Sequence, residues 1–170
     1  MRVRCEVTDK VDEAGVEELR NAVIAFNVAA TGYSAAASLG CLLRDDHGQL
    51  VVGLDGFTWG GYAMIEWLWV HDDYQHRGLG ARLVGAAEDE ASRRGCVVVR
   101  VNTHTFQAPH FYARLGYSQI GVARDAPVKH GEVFLEKRLV ARTPDAEDGS
   151  KSLDHARPLT APADRPSHRH

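Results

Sequence analysis

Between Ser38 and Val70 the chain carries three apolar runs, "SLGCLLR", "QLVVGLDGFTW" and "GYAMIEWLWV", separated only by Asp45-Asp46-His47-Gly48 and by Gly60-Gly61. Connections this short can join only antiparallel strands, because a parallel crossover needs about a dozen residues or more. Gly48 supplies the positive φ that the first turn requires. A three-stranded meander is therefore predicted, and the rest of the chain must be arranged around it. After Val70 the period changes. Leu79, Leu83, Ala87 and Ala91 form a helical stripe, Arg93-Arg94 sit against the negative helix end, and Gly95 is the terminating glycine. "CVVVRVN" (Cys96 to Asn102) is a continuous β-branched run, as expected of a strand covered on both faces and parallel to a neighbour. "PHFYARLG" reads as a short helix with Pro109 in its first turn and Gly116 at its end, and "YSQIGVA" and "EVFLEKRL" as an antiparallel pair.

Upstream of the meander, Arg2 to Thr8 alternates like a half-buried strand. Asp12 is placed to cap a helix running to about Asn27, with Val16, Leu19, Val23 and Phe26 on one side. Val28 to Ala37 loses that period and reads as a loop or short irregular helix. The order β-α-β-β-β-α-β-α-β-β predicts an α+β fold with helices on a mixed sheet. A length of 170 residues suits one domain. From Ala141 onward there are four prolines, two leucines and no aromatic residue, so the domain is expected to occupy 1–140 and a disordered tail 141–170.

A net charge of −3 excludes the strongly basic face that nucleic acid requires. Cys5, Cys41 and Cys96 sit in apolar runs without Cys-x-x-Cys spacing, which argues against a disulfide framework and a zinc site and for reduced thiols. His168 and His170 lie in the tail, a poor cage for a metal, so no metal is expected. The first residues lack the apolar stretch of a signal peptide and no run approaches a membrane span, which predicts a cytoplasmic protein.

The chemistry concentrates in "VHDDYQHRGLGARLV", Val70 to Val84. A Walker loop would need Gly-Lys-Ser/Thr, but Gly80 is followed by Ala81-Arg82. A dinucleotide fingerprint would need a third glycine where Leu83 stands, directly after a strand. Two glycines at a helix entrance serve either a tight turn or an anion, since they expose successive N–H groups at the positive helix end. Arg77 and Arg82 add positive charge, and a pyrophosphate suits such a place.

Gln75-His76-Arg77-Gly78-Leu79-Gly80 resembles the Q/R-x-x-G-x-G/A motif of the GNAT superfamily of N-acetyltransferases, and "QAPHFYARLGY" (Gln107 to Tyr117) is similar to its second signature. The two occur in the family's order, and the resemblance covers about residues 1–140. It implies a three-layer α+β fold, a mixed central sheet of about six or seven strands flanked by helices and splayed at the cofactor cleft. It implies acetyl-coenzyme A as co-substrate, between the strands Tyr62–Val70 and Cys96–Asn102. The pyrophosphate would meet Gln75, His76, Arg77, Gly78, Leu79, Gly80 and Ala81, chiefly through backbone N–H groups, and backbone of Leu68 and Val70 would pair with the pantetheine arm. Phe111 would wall that arm. The family's asparagine seven residues before the signature tyrosine is replaced by Thr105, with Asn102 three residues earlier.

By the same resemblance Tyr112 is the acid that meets the departing thiolate, and Leu68 supplies the oxyanion N–H. An alkyl ammonium must lose a proton before it attacks. Glu66, a carboxylate embedded in "MIEWLWV", is the candidate base, with His104, His110, His130 and Asp55 as alternatives. Alternation puts Met64, Glu66, Leu68 and Val70 on one face and Trp67 and Trp69 on the other. The acceptor side is expected from Asn27, Thr31, Tyr33, Trp59 and Tyr62, together with Arg124 to Phe134, and the three tryptophans could wall a cationic or planar substrate or belong to the core. The expected activity is acetyl transfer to a primary amine of a small molecule. Acetylation of a protein or peptide, and acyl-coenzyme A binding without turnover, are the alternatives. No nucleic acid or membrane partner is expected, and a homodimer is left open.

Overall fold

A computed structural model describes residues 7–140. The strand read at Arg2 to Thr8 (but for its last two residues), Cys5 and the tail 141–170 lie outside the described residues. Helix α1 spans Glu13–Thr31, and the Asp12 carboxylate accepts from Gly15 N–H at 2.7 Å. It runs one turn beyond the expected end at Asn27. Ala29 and Ala30 favour helix, Thr31 Oγ1 donates back to Asn27 O at 2.7 Å, and the chain stops only at Gly32, left-handed at φ 73°.

Six strands follow: β1 (Ala37–Arg44), β2 (Leu50–Trp59), β3 (Tyr62–Val70), β4 (Val98–His104), β5 (Ser118–Arg124) and β6 (Gly131–Arg138). Helix α2 (Leu79–Arg93) connects β3 to β4, and α3 (Pro109–Arg114) connects β4 to β5. The sheet order is β1-β2-β3-β4-β6-β5. The first three strands form the expected antiparallel meander, β4 lies parallel to β3 and antiparallel to β6, and β5 is an edge. The fold is α+β with a mixed open sheet.

The core lies on one face of this sheet. Leu79, Leu83, Val84, Ala87 and Ala91 of α2 and Tyr112 of α3 join Leu39, Val52, Leu54, Ile65, Val99 and Val101 in one buried cluster. Each large aliphatic side chain so covered contributes about 2 kcal/mol of transfer free energy. α1 behaves differently, because none of its residues is buried. Its stripe, read from the sequence as a core face, meets solvent. No helix of the described residues is long and apolar enough to cross a membrane.

Strand β3 is irregular at its middle. Asp55 of β2 pairs with Trp67, but the next residue, Gly56, pairs with Ile65, so Glu66 is the extra residue of a β-bulge. The bulge breaks the alternation expected from sequence. Met64 lies opposite Phe57, whereas Leu68 lies opposite Leu54. Phe57 and Leu54 are an odd number of residues apart in β2, so Met64 shares a face with Trp67 and Trp69, and Leu68 and Val70 share the core face with Ile65. Gly56 makes this possible: a Cβ there would lie 2.0 Å from the Met64 carbonyl oxygen. A glycine inside a strand run is the sequence signal for such a bulge.

Candidate functional site

The cleft follows from the bulge. Parallel pairing of β3 with β4 runs only from Tyr62 opposite Val98 to Ile65 opposite Val101. Beyond the bulge the strands part, and a cavity of about 1020 Å³ opens between Glu66 to Val70 on one side and Val101 to His104 on the other. The start of α2 and one side of α3 close its mouth, and Phe111, Tyr112 and Leu115 line it. His71 N–H donates to Val51 O at 2.9 Å. Strand alternation then turns the N–H groups of Trp69 and Trp67 toward β2 and those of Leu68 and Val70 toward the open edge. An extended ligand can pair there as an added strand does.

At the mouth, a 3-10 turn (Asp72–Tyr74) leads into the α2 entrance. Gln75 N–H is already bonded to Asp72 O at 3.2 Å, and its side-chain amide donates to Asp72 Oδ1 at 2.9 Å and Val70 O at 3.3 Å. Gln75 therefore ties the loop to the strand end instead of offering its N–H to an anion. The first α2 bond runs from Arg82 N to Gly78 O, which leaves the six N–H groups from His76 to Ala81 without an acceptor among the described residues. His76 at φ 58° and Gly78 at φ 75° both turn the backbone in the left-handed region here, the kind of turn in which successive N–H groups can face one anion. A Cβ on Gly78 would touch nothing within 4 Å, so its need for glycine is conformational. A Cβ on Gly80 would contact Phe111 at 3.4 Å and Val70 at 3.5 Å, so its need is space inside the cleft. Arg77 is absent from the lining. Its guanidinium lies 5.3 Å from the Tyr74 ring centroid.

Tyr112 lines the cleft from α3 and is only 6% exposed, edge-on to Tyr117 at 5.6 Å between centroids. Burial pushes its hydroxyl up to about 12, so it carries a proton throughout the neutral range. Glu66 is exposed on the bulge and lines the same cleft. His104 also lines it, with Nδ1 3.1 Å from Ala126 O and its ring stacked on Phe106 at 5.1 Å. Its neighbour Asn102 donates from Nδ2 to Glu132 Oε1.

The structure brings together Glu66, Leu68, Val70, Gln75, His76, Gly78, Leu79, Gly80, Ala81, Phe111 and Tyr112. Thr105 is outside the lining. It ties β4 to β6, its N–H donating to Gly131 O at 2.8 Å and its Oγ1 accepting from Gly131 N–H at 3.1 Å. The expected acceptor residues Asn27, Thr31, Tyr33, Trp59 and Tyr62 do not line the cleft either. Tyr33, Trp59 and Tyr62 pack edge to edge at the β2–β3 turn, because Trp59 and Tyr62 pair at the end of β3 remote from the bulge. His110, His130 and Asp55 are likewise outside the lining. Sequence reading missed Tyr74, Thr103, Gln107 and Arg114 in the lining. Gln107 Oε1 accepts from His104 N–H at 2.8 Å and Thr103 Oγ1 at 3.2 Å, a closure of β4 that no spacing rule announces.

These features bear on what the chain is similar to. Residues 8–117 match the model of the acetyltransferase (GNAT) family. Acetyltransferase Atu2258 of Agrobacterium fabrum (strain C58 / ATCC 33970) is 30% identical over 135 residues, 78% of this chain and 97% of that one. Blasticidin-S acetyltransferase of Streptomyces morookaense is 37% identical over 95 residues, 55% of this chain and 70% of that one. The crystal structure of an acetyltransferase from Agrobacterium tumefaciens superposes with a TM-score of 0.76 at 28% identity, covering 81% of this chain and all of that one. With the splayed strands, the unpaired amides at the α2 entrance and the family match over most of the domain, the chain belongs to the acetyltransferase (GNAT) family of enzymes.

Proposed function

We propose that the protein is an acetyl-coenzyme A-dependent N-acetyltransferase that moves an acetyl group to a primary amine of a small molecule by direct attack in a ternary complex. The observation that carries this reading is the run of six free N–H groups from His76 to Ala81, continuous with the open edge of β3 at Leu68 and Val70. That run fits a pyrophosphate at a helix entrance, and the open edge fits an extended amide-bearing arm beside it. The bound co-substrate supplies the activated acetyl thioester. Leu68 N–H lies on the edge where it can stabilise negative charge growing on the attacked carbonyl oxygen. Tyr112, kept protonated by its burial, donates to the leaving thiolate. Glu66 removes the proton that the attacking amine must lose. Direct attack is favoured over an acyl-enzyme because neither described cysteine lines the cleft, and burial pushes the Cys96 thiol up, against the nucleophilic thiolate.

His104 is a second reading of the base. Donation from Nδ1 to the Ala126 carbonyl would hold the ring and leave the lone pair on Nε2. A small-molecule acceptor is supported by the likeness to a blasticidin-S acetyltransferase and by the wall that Trp67 and Trp69 give the cleft. The test is thermal stability with saturating coenzyme A, followed by thiol release across amines, antibiotics and peptides. Stabilisation and turnover of a small amine are expected. No stabilisation would overturn the cofactor assignment, and turnover of peptides alone would reassign the acceptor. Loss of the acid limb of the rate profile in Glu66→Gln identifies the base, and its loss only in His104→Gln transfers the role.

A further inference from the structure

The two sides of the cleft differ in chemistry. Val99 and Val101 of β4 join the core under α2 and α3, so alternation turns Asn102 and His104 to the opposite face of the sheet. Met64 pairs with Arg100, which puts Asn102 and His104 on the face that carries Met64, Trp67 and Trp69. Ile65 opposite Val101 is the last pair before β3 and β4 part. Glu66 and Asn102 are the next residue of each strand, so they flank the start of the split, and both line the cavity. The free N–H groups lie at the α2 entrance, and Arg114, the one lysine or arginine of the lining, belongs to α3.

Asn102 is held in one orientation. Its Nδ2 donates to Glu132 Oε1, which it reaches along the diagonal of the β4–β6 register. A carboxylate only accepts, so the amide nitrogen must be the atom turned to Glu132, and Oδ1 is left as a fixed acceptor for the cavity that Asn102 lines. Among the described residues nothing donates to that oxygen. Glu132 itself is half-buried, and neither it nor Glu66 has an ion-pair partner among the described residues. Glu136, further along the same face of β6, is matched by Arg100 at 3.5 Å and Arg138 at 3.9 Å. A shielded carboxylate without a counter-ion favours a cation beside it, and the rings of Trp67 and Trp69 in the lining favour one too.

We propose that the acceptor carries a second protonated nitrogen besides the amine that is acetylated, and that Asn102, oriented by Glu132, is the specificity-determining residue that holds it. This inference rests on the acetyltransferase function proposed above. The attacking amine lies at Glu66, and the second ammonium donates to Asn102 Oδ1 across the split, within the field of the Glu132 carboxylate behind it. An amide is not a base, so Asn102 holds that nitrogen without taking its proton. An alkyl ammonium, with an ordinary pKa of about 10.4, then stays charged at neutral pH, and loss of a proton is confined to the nitrogen at Glu66. An acceptor with a single amine leaves Asn102 Oδ1 and Glu132 without a donor once water is displaced, and binds less well for that reason.

Thiol release from acetyl-coenzyme A by matched amines tests the proposal, with butylamine against putrescine and pentylamine against cadaverine. In the wild type kcat/KM is expected to favour each diamine at least about tenfold, beyond the doubling that two equivalent amines give. Glu132→Gln still accepts from Asn102 Nδ2 but removes the charge, and Asn102→Leu removes the acceptor, so the diamine-to-monoamine ratio should fall in both. A merely structural role would lower both members of a pair alike and leave that ratio where it was. Thermal stabilisation of each variant by coenzyme A reads folding and the cofactor side independently. A wild type that turns over monoamines as well as diamines overturns this inference and leaves the acetyltransferase reading standing. So does a ratio that persists in either variant. No thiol release with any amine, together with no stabilisation by coenzyme A, overturns both.

Discussion

Replacing Gly56 by alanine tests whether the bulge at Glu66 depends on a missing side chain in the neighbouring strand. A Cβ at this position would lie 2.0 Å from Met64 O and 3.1 Å from Ile65 Cα, whereas ordinary contact begins near 3.4 Å. The obstacle is backbone on both counts, so no rotamer can relieve it and β3 must retreat by more than 1 Å. Overpacking of this kind costs about 1–3 kcal/mol, and each ladder hydrogen bond lost in the retreat about 1 kcal/mol more, so a loss of about 3–4 kcal/mol is expected. Gly53→Ala, three residues away in the same strand, is the control. Its Cβ would press only on Leu42 Cδ2 at 3.1 Å, the end of an exposed and rotatable side chain, with Leu50 in ordinary contact at 3.8 Å, and the expected loss is under about 1 kcal/mol. Equilibrium urea denaturation measures both, with a constant m-value as the check on two-state behaviour. If enough Gly56→Ala folds to assay, its KM for acetyl-coenzyme A should rise, because the bulge aims the open edge of β3. A Gly56→Ala protein no less stable than Gly53→Ala would refute the reasoning.

The two glycines of the α2 entrance should separate in the same experiment. Gly78→Ala loses about 1 kcal/mol through its positive φ, while Gly80→Ala keeps or gains stability and Gly80→Val weakens coenzyme A binding at least about tenfold by filling the cleft. Tyr112→Phe should lower kcat by about 10²-fold or more with little change in coenzyme A affinity measured by calorimetry, and a parallel loss of affinity would make Tyr112 a binding residue. Because the folded state holds the Tyr112 proton to about pH 12 against an ordinary 10.0, its stabilising effect is complete below about pH 10 and is lost as pH rises toward 12. That amounts to about 3 kcal/mol, visible as a falling urea midpoint that Tyr112→Phe makes shallower. Tyr117, raised by burial and then by the Glu88 carboxylate, falls in the same direction. Lys137→Met should cost about 3 kcal/mol, since Lys137 Nζ is 2.6 Å from Glu88 Oε2 and the Glu88 carboxylate is largely buried beside Tyr117; Glu88→Gln in the same chain should recover part of it.

The α+β order, the meander, α2, α3 with Pro109 in its first turn and the antiparallel final pair were all legible from residue spacing. Each rests on interactions within a few residues or on a turn too short to permit an alternative. The phosphate-sized donor cluster was legible for the same reason, since a glycine pair and an unfilled helix start are local facts. Tyr112 was singled out through the family signature, whereas its burial, which raises its hydroxyl, is a fact of packing between α3 and the sheet. Alternation misplaced Met64 relative to Leu68, because a period-2 pattern carries no mark where one residue is inserted; Gly56 was the available signal. Trp59 and Tyr62 were grouped with the acceptor side by chain proximity, yet their pairing at the turn end of β3 carries them away from the cleft.

By itself, then, the sequence determined the elements, their turns and the run of unpaired N–H groups at the Gly78–Gly80 entrance, because those depend on φ preferences, periodicity and hydrogen-bonding groups close along the chain. Only the tertiary structure decided that β3 bulges at Glu66 and parts from β4 after Ile65, that Gln75 spends its N–H within the loop, and that α1 leaves its apolar stripe uncovered. Those outcomes depend on contacts across strands and between elements, where the decisive neighbours are distant in sequence and periodicity alone does not record them.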